Sequence, residues 1–199
     1  MRDEMLGGMT AMTDAIELLR CDHDGVRRLL AALEDGPAAA AQAHGGLVAR
    51  LVIAESGHEA IEEQYFWPLV RRRVQNGPRL ADEAVSQEQE AKRLLGLLEK
   101  SGSGDAADLL RQVIAISRAH IDFEETQVWP WVQLALSEQE LGDLGVQLEQ
   151  AKRLAPTRPH PHMPCTPQVL KMAAPIAGAT DRIRDALGGR HRDLGRRRL

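Results

Sequence analysis

Two stretches of this chain are near-copies: His58-Glu59-Ala60-Ile61-Glu62-Glu63-Gln64-Tyr65-Phe66-Trp67-Pro68 and His120-Ile121-Asp122-Phe123-Glu124-Glu125-Thr126-Gln127-Val128-Trp129-Pro130. Both follow the pattern H-x-x-x-E-E-x-x-x-W-P, the second 62 residues after the first. On a helix, residues i and i+4 lie on one face about a turn apart, so each copy sets an imidazole beside a carboxylate. One such pair is common in helical proteins. Two copies that both end in Trp-Pro indicate an internal duplication using one chemical unit twice.

Apolar residues recur at helical spacing on either side of these phrases. A first helix opens at Thr13 or Asp14, either of which can cap it, and carries Ile16, Leu19, His23, Val26, Leu30 and Leu33 on one line before Gly36-Pro37. A second runs from about Ala38 to Val74 with Leu47, Leu51, Ala54, His58, Glu62, Tyr65 and Leu69 inward, bent at Pro68. Asn76-Gly77-Pro78 stops it. The third, about Arg79 to Lys100, turns Ala81, Ala84, Glu88, Ala91, Leu95 and Leu98 to one side. After Ser101-Gly102-Ser103-Gly104, the fourth runs from Asp105 to about Leu136 with Val113, Ser117, His120, Glu124, Gln127 and Trp131 inward. Ser137-x-x-Glu140 is a capping box for a shorter fifth helix to about Leu154.

Long amphipathic helices joined by short links describe an all-α fold, an antiparallel four-helix bundle with a fifth helix and a Pro-rich, partly helical C-terminal extension. The expected divisions are a flexible 1–12, the bundle over 13–136, the added helix over 137–155 and the extension over 156–199. That extension has five prolines between Pro156 and Pro167, a weak helix around Ile176, Ile183 and Leu187, and a disordered arginine-rich tail.

Composition narrows the class. The chain has 199 residues, 43% hydrophobic and 27% charged, enough for one full core in a globular protein. A net charge of −4 gives no case for nucleic acid, and no apolar run is long enough to span a membrane. Two isolated cysteines, Cys21 and Cys165, make neither a disulfide scaffold nor a zinc site. With no leader-like segment at the start, a reduced, cytoplasmic setting is expected, with the protein a monomer or weak homodimer.

The informative residues are polar ones on apolar lines: His23, His58, Glu62, Glu88, His120 and Glu124. Burying an unpartnered carboxylate or imidazole costs several kcal/mol, on the order of the stability of a domain when six are summed. They also align: His23, Arg27 and Leu30 repeat as Glu88, Lys92 and Leu95, so the first and third helices are copies as well. Metal ions supply the positive charge such a core needs. Three imidazoles and three carboxylates exceed a tetrahedral zinc site and suit two ions sharing carboxylates, the di-iron or di-manganese pattern of helical bundles.

At this point the sequence resembles the hemerythrin-like family with the HHE cation-binding domain, over about Asp14 to Leu136. It is also similar to the actinobacterial branch of that family through Arg158-Pro-His-Pro-His-Met-Pro164 and Asp181-Arg-Ile-Arg-Asp185. The resemblance implies that His23, His58, Glu62, His120 and Glu124 bind iron, as an oxo- or hydroxo-bridged pair rather than manganese. Family members usually have histidine on the third helix; this chain has none between Arg79 and Lys100, and Glu88 stands there instead. A carboxylate favours the ferric state over the diferrous form needed for oxygen carriage. The expected activity is therefore catalase-like dismutation of hydrogen peroxide, the alternative being a protein that binds or senses O2, NO or iron without turnover.

Tyr65, seven residues after His58, faces the same way on a regular helix and is the candidate catalytic residue, through its phenol. Glu59, Glu63 and Glu125 read as solvated or as partners of arginines, with Glu59, beside His58, the one most worth testing as a ligand. Arg27 and Lys92 read as exposed or paired with outer carboxylates, Cys21 as a buried inert thiol, and His160 and His162 as loop residues.

Overall fold

The computed structural model describes residues 13–35, 41–100, 106–157 and 177–181. Its elements are α1 (Ala15–Asp35), α2 (Ala41–Ile61), a π-helical turn (Glu62–Phe66), α3 (Trp67–Arg73), α4 (Gly77–Lys100), α5 (Ala106–Phe123), a second π-helical turn (Glu124–Val128), α6 (Trp129–Ala135) and α7 (Glu138–Lys152). Among the described residues there is no strand, and no helix is long and apolar enough to cross a membrane. α2 with α3 and α5 with α6 are the two long rods of the repeat; with α1 and α4 they form the four-helix bundle, and α7 packs on α1 and α2.

Local chemistry sets the boundaries. The Asp14 carboxylate accepts the Glu17 N–H at 2.9 Å and opens α1. Ser137 and Glu140 form the reciprocal capping box of α7. Between α3 and α4 the chain reverses through Asn76, whose φ of 56° is left-handed. Gly77 follows because a Cβ there would lie 2.0 Å from the Val70 carbonyl oxygen. Gly145 lets α7 approach the start of α1, where a Cβ would meet the Thr13 oxygen at 2.4 Å.

The π-helical turns change the inward face. Pro68 and Pro130 have no N–H to return to the preceding turn. Just before each, the Trp67 and Trp129 N–H groups reach back five residues, to the Glu62 and Glu124 carbonyls. Each turn thus holds one residue more than an α-helix would, and everything after it rotates by about 100°. The regular-helix expectation that Tyr65, Leu69, Gln127 and Trp131 point inward is therefore corrected. Phe66, Trp67, Val70, Val128, Trp129 and Val132 fill the core, Tyr65 and Leu69 are half-buried at its edge, and Gln127 and Trp131 are exposed.

Two apolar clusters result. One, around Ile61, Phe66, Trp67, Trp129 and the inner faces of α1, α4 and α7, lies on the Trp-Pro side. The other, around Leu30, Leu51, Leu95 and Val113, lies on the opposite side. The polar residues of the repeat separate them. Past Ala155, Thr157 N–H donates to the buried Asp181 carboxylate at 3.2 Å, and residues 177–181 are helical. The expected helix positions Ile176, Ile183 and Leu187, together with His160, His162, Cys165 and the tail, lie outside the described residues. Cys21 is exposed rather than buried.

Candidate metal centre

All six polar residues on the helix stripes converge between the two apolar clusters, and none is more than 6% exposed. They form two groups whose donor atoms lie within 4.8 Å of one another: His23, His58 and Glu124 in one, Glu62, Glu88, His120 and Glu124 in the other. Glu124 belongs to both. Its two oxygens point different ways, Oε2 lying 3.2 Å from His23 Nε2 and Oε1 2.9 Å from His120 Nε2. Within the first copy, His58 Nε2 and Glu62 Oε2 are 3.2 Å apart, the i, i+4 neighbours the sequence implied. His23 Nε2 and His58 Nε2 face each other at 3.1 Å.

The donor set fits cations. Both carboxylate oxygens of Glu62 and of Glu124, Glu88 Oε2 and His120 Nε2 are buried, and none has a hydrogen-bond partner outside the cluster. Native interiors leave few such atoms, and each calls for a reason. These six atoms are competent ligands aimed at one volume, which one or two cations would satisfy together.

The electrostatics agree. Burial pushes Glu62 well above the ordinary carboxylate range, and neighbouring Glu124 and Glu88 push it further. Burial likewise raises Glu88; Lys92 opposes this, while Glu63, Glu59 and Glu124 add to it. Glu124 is the exception: burial works to raise it, but His120 and His23 outweigh burial and hold it below the usual range. Without a cation, the Glu62 and Glu88 carboxylates are thus driven to keep protons; a metal displaces those protons and takes their place.

Around the six lies a ring of positioning contacts that the sequence reading did not anticipate. Asp22 Oδ2 sits 3.5 Å from His58 Nδ1, and Gln87 Oε1 lies 3.1 Å from His120 Nδ1. These are equivalent positions of the duplication, each one residue before the register positions His23 and Glu88. Glu125 Oε1 lies 2.9 Å from His23 Nδ1 and also accepts from Arg27 at 2.9 Å. With Glu125 and Gln87 hydrogen-bonded to two of the Nδ1 atoms and Asp22 set against the third, each Nε2 is turned to the centre.

The same pseudo-symmetry links the Trp-Pro residues to the site. Trp129 stacks on His23, with centroids 4.8 Å apart and planes 15° from parallel. Its counterpart Trp67 instead donates its indole N–H to Glu88 Oε1 in a short hydrogen bond. Glu88 therefore occupies the place of His23 in the other half, as the register indicated. Glu63, the counterpart of Glu125, pairs with Lys92, the counterpart of Arg27, at 2.6 Å, and accepts from Gln89 at 3.0 Å.

Three readings of the outer residues change as a result. Glu59 and Glu63 are buried, at 3% and 6% exposure, rather than solvated. Their cation is a lysine rather than an arginine: Lys92, itself 6% exposed, lies 3.7 Å from Glu59. Burial would lower Lys92, but Glu59, Glu88 and Glu63 together hold it firmly charged. Glu125 is paired with Arg27 and Arg20 as expected. Tyr65 is not among the six: it lines an outer groove of about 380 Å³ between α3 and α7, with Arg72, Leu136 and Glu140.

A four-helix bundle with carboxylates and imidazoles converging on a shared glutamate is a cation-binding bundle by class. Residues 14–132 match the model of the hemerythrin HHE cation-binding domain, and the chain belongs to that family. It is 24% identical over 143 residues to an uncharacterized hemerythrin-like protein of Schizosaccharomyces pombe, covering 63% of this chain and 70% of that protein. The fold is similar to the crystal structure of a hemerythrin HHE cation-binding domain-containing protein from Mycobacterium kansasii. The TM-score is 0.61 at 21% identity, over 71% of this chain and 89% of that one.

Proposed function

We propose that the protein holds two iron ions and consumes hydrogen peroxide, converting two molecules of it to dioxygen and two of water. The observation that carries this reading is the donor set: three carboxylates and three imidazoles on two sub-sites that share Glu124. His23, His58 and Glu124 would hold one ion, and Glu62, Glu88, His120 and Glu124 the other. Bound iron would supply the electron capacity that no side chain here has, since one peroxide must give up two electrons and two protons and the next must take them.

The chain's own residues do the rest. Asp22, Gln87 and Glu125 fix the imidazoles by their Nδ1 atoms. Trp67 holds Glu88 by one oxygen and leaves the other directed to the centre. Lys92 balances the extra carboxylates of the first half. Trp67 and Trp129, each 1% exposed, close the Trp-Pro side against water. Glu59, pushed by burial to about 8 against the pull of Lys92, holds a proton near neutrality. On the opposite side the void against the imidazoles is about 20 Å³, room for one or two water-sized groups, a scale that suits a molecule as small as peroxide.

Oxygen evolution from peroxide by iron-loaded protein, lost in His58→Ala and Glu88→Ala, tests the proposal; wild type no faster than these variants sinks it. The burial of the site also suits binding of O2 or NO without turnover. Stable, reversible spectral adducts in a protein that leaves peroxide untouched would favour that reading.

A further inference from the structure

The duplicated phrase extends three residues further back than its first histidine. Glu55 precedes His58 by three and Ser117 precedes His120 by three, so they occupy equivalent positions in the two copies. One helical turn before each histidine, both face the bundle axis, and both are buried, at 5% and 4% exposure. Both line a void of about 20 Å³, together with Glu59 and the imidazoles of His23, His58 and His120. Beyond each other, neither the Glu55 carboxyl nor the Ser117 hydroxyl has a hydrogen-bond partner. The hydroxyl lies beside the carboxyl and only partly offsets the effect of burial, which raises Glu55 to about 7.

Such a carboxyl is hard to explain as scaffolding. A buried carboxyl with one hydroxyl for company is destabilising, and leucine or methionine would fill the position as Leu51 and Val52 fill theirs nearby. It is also distinct from the six converging residues, since it belongs to neither group of mutually close donors. What remains is a hydrogen-bonding wall facing three imidazoles across a space of molecular size.

We infer that Glu55 and Ser117 form the binding wall for the small molecule that reaches the metal centre, holding it by hydrogen bonds against the imidazole face. The ligand class is a neutral hydrogen-bonding molecule of two or three heavy atoms at most: hydrogen peroxide, with water in its absence. An acid in one copy and a hydroxyl in the other give the pocket one strong donor and one adaptable donor-acceptor, enough to fix both ends of a peroxide. The inference rests on the peroxide reading for its substrate, while the wall itself rests on the void and the two buried polar groups.

The test uses full-length, iron-loaded Glu55→Leu, Glu55→Gln and Ser117→Ala proteins, with iron content, melting temperature, peroxide turnover and affinity for nitric oxide measured on each. Expected are unchanged iron content, a melting temperature in Glu55→Leu equal to or above wild type, and peroxide kcat/KM lowered at least tenfold. Glu55→Gln, which still donates, should recover part of that loss. Glu55→Leu with wild-type kcat/KM, or a fall in iron content that accounts for the loss, overturns the inference. Should wild type itself fail to consume peroxide, the functional proposal falls and nitric oxide decides the wall alone. Weakening by about tenfold in Glu55→Leu upholds it, and an unchanged affinity overturns it.

Discussion

Replacing Lys92 by methionine removes one charge from the interior while keeping the length and apolar stem of the side chain. Its ammonium lies 2.6 Å from Glu63 and 3.7 Å from Glu59, in surroundings where all three residues are at most 6% exposed. A unit pair 4 Å apart is worth about 4 kcal/mol at an effective dielectric constant near 20, but most of that is spent on desolvating the ammonium. The cost of truncation comes from what is left behind: the buried Glu63 carboxylate with Gln89 as its donor, beside a Glu59 that already holds its proton. Breaking a buried pair from one side costs about 3–5 kcal/mol, a fall in melting temperature of roughly 6–20 °C for a chain of this size. The counterpart Arg27→Met is the control. Arg27 has a side chain 38% exposed, on a carboxylate that water also reaches, so its loss should cost no more than about 1 kcal/mol. Adding Glu63→Gln to Lys92→Met should restore part of the deficit. Denaturant melts of the four proteins read all of this. Equal costs for Lys92→Met and Arg27→Met would refute the reasoning.

Tyr65→Phe should leave metal stoichiometry and the absorption spectrum of the loaded protein unchanged, because the π-helical turn carries Tyr65 to the outer groove; a changed spectrum would contradict that placement. In chelator-treated protein, Glu55 and Glu59 have folded-state values raised to about 7 and about 8. Their contribution to stability is full below the unfolded carboxyl value of about 4.3 and is lost as the pH rises to about 8. The melting temperature should therefore fall across that window, and a flat profile would refute this; separately, metal loading at neutral pH should displace the protons of Glu62 and Glu88 into an indicator dye. Trp67→Phe leaves Glu88 Oε1 buried without its donor and should cost about 1–3 kcal/mol beyond the lost packing. Trp129→Phe has no such penalty, since its indole nitrogen has no hydrogen-bond partner; denaturant midpoints of the two compare them. Gly77→Ala should destabilise by about 1–3 kcal/mol, because the added Cβ meets the Val70 backbone rather than a side chain that can move.

The bundle and the convergence of the six polar residues were legible because they depend on periodicity alone. Apolar spacing of three and four defines which side of each helix faces inward, and His23, His58, Glu62, Glu88, His120 and Glu124 interrupt it at matched heights. Position Tyr65 was not legible by the same rule. Periodicity presumes 100° per residue, and the turns Glu62–Phe66 and Glu124–Val128 break that presumption immediately after the two glutamates. The signal was present in the Trp-Pro pairs: a proline ten residues after the histidine of an otherwise helical phrase, twice over, asks for a local rearrangement of the hydrogen-bond ladder. A bend and an inserted residue both answer that demand, and only the second rotates the downstream face.

The burial of Glu59, Glu63 and Lys92 was hidden for a different reason. A glutamate beside an arginine-rich face normally belongs to solvent, and in the second half Glu125 and Arg27 behave that way, half-buried and partly wet. The first half differs through the acid at position 88. Where His23 can donate its Nδ1 hydrogen to Glu125, Glu88 can give Glu63 nothing but repulsion, so a cation must come inward. Lys92, one turn beyond Glu88 on the same helix, is the only counterpart in the duplicated pattern that can supply it. The exchange of an imidazole for a carboxylate and the burial of a lysine are therefore one change seen from two sides, and Glu88→His should relax both. With an imidazole at 88, Glu63 gains a donor and Lys92 loses a partner, so Lys92→Met should cost less in the Glu88→His background than in wild type. Additive costs in that double-mutant cycle would show that the two halves of the pattern are independent.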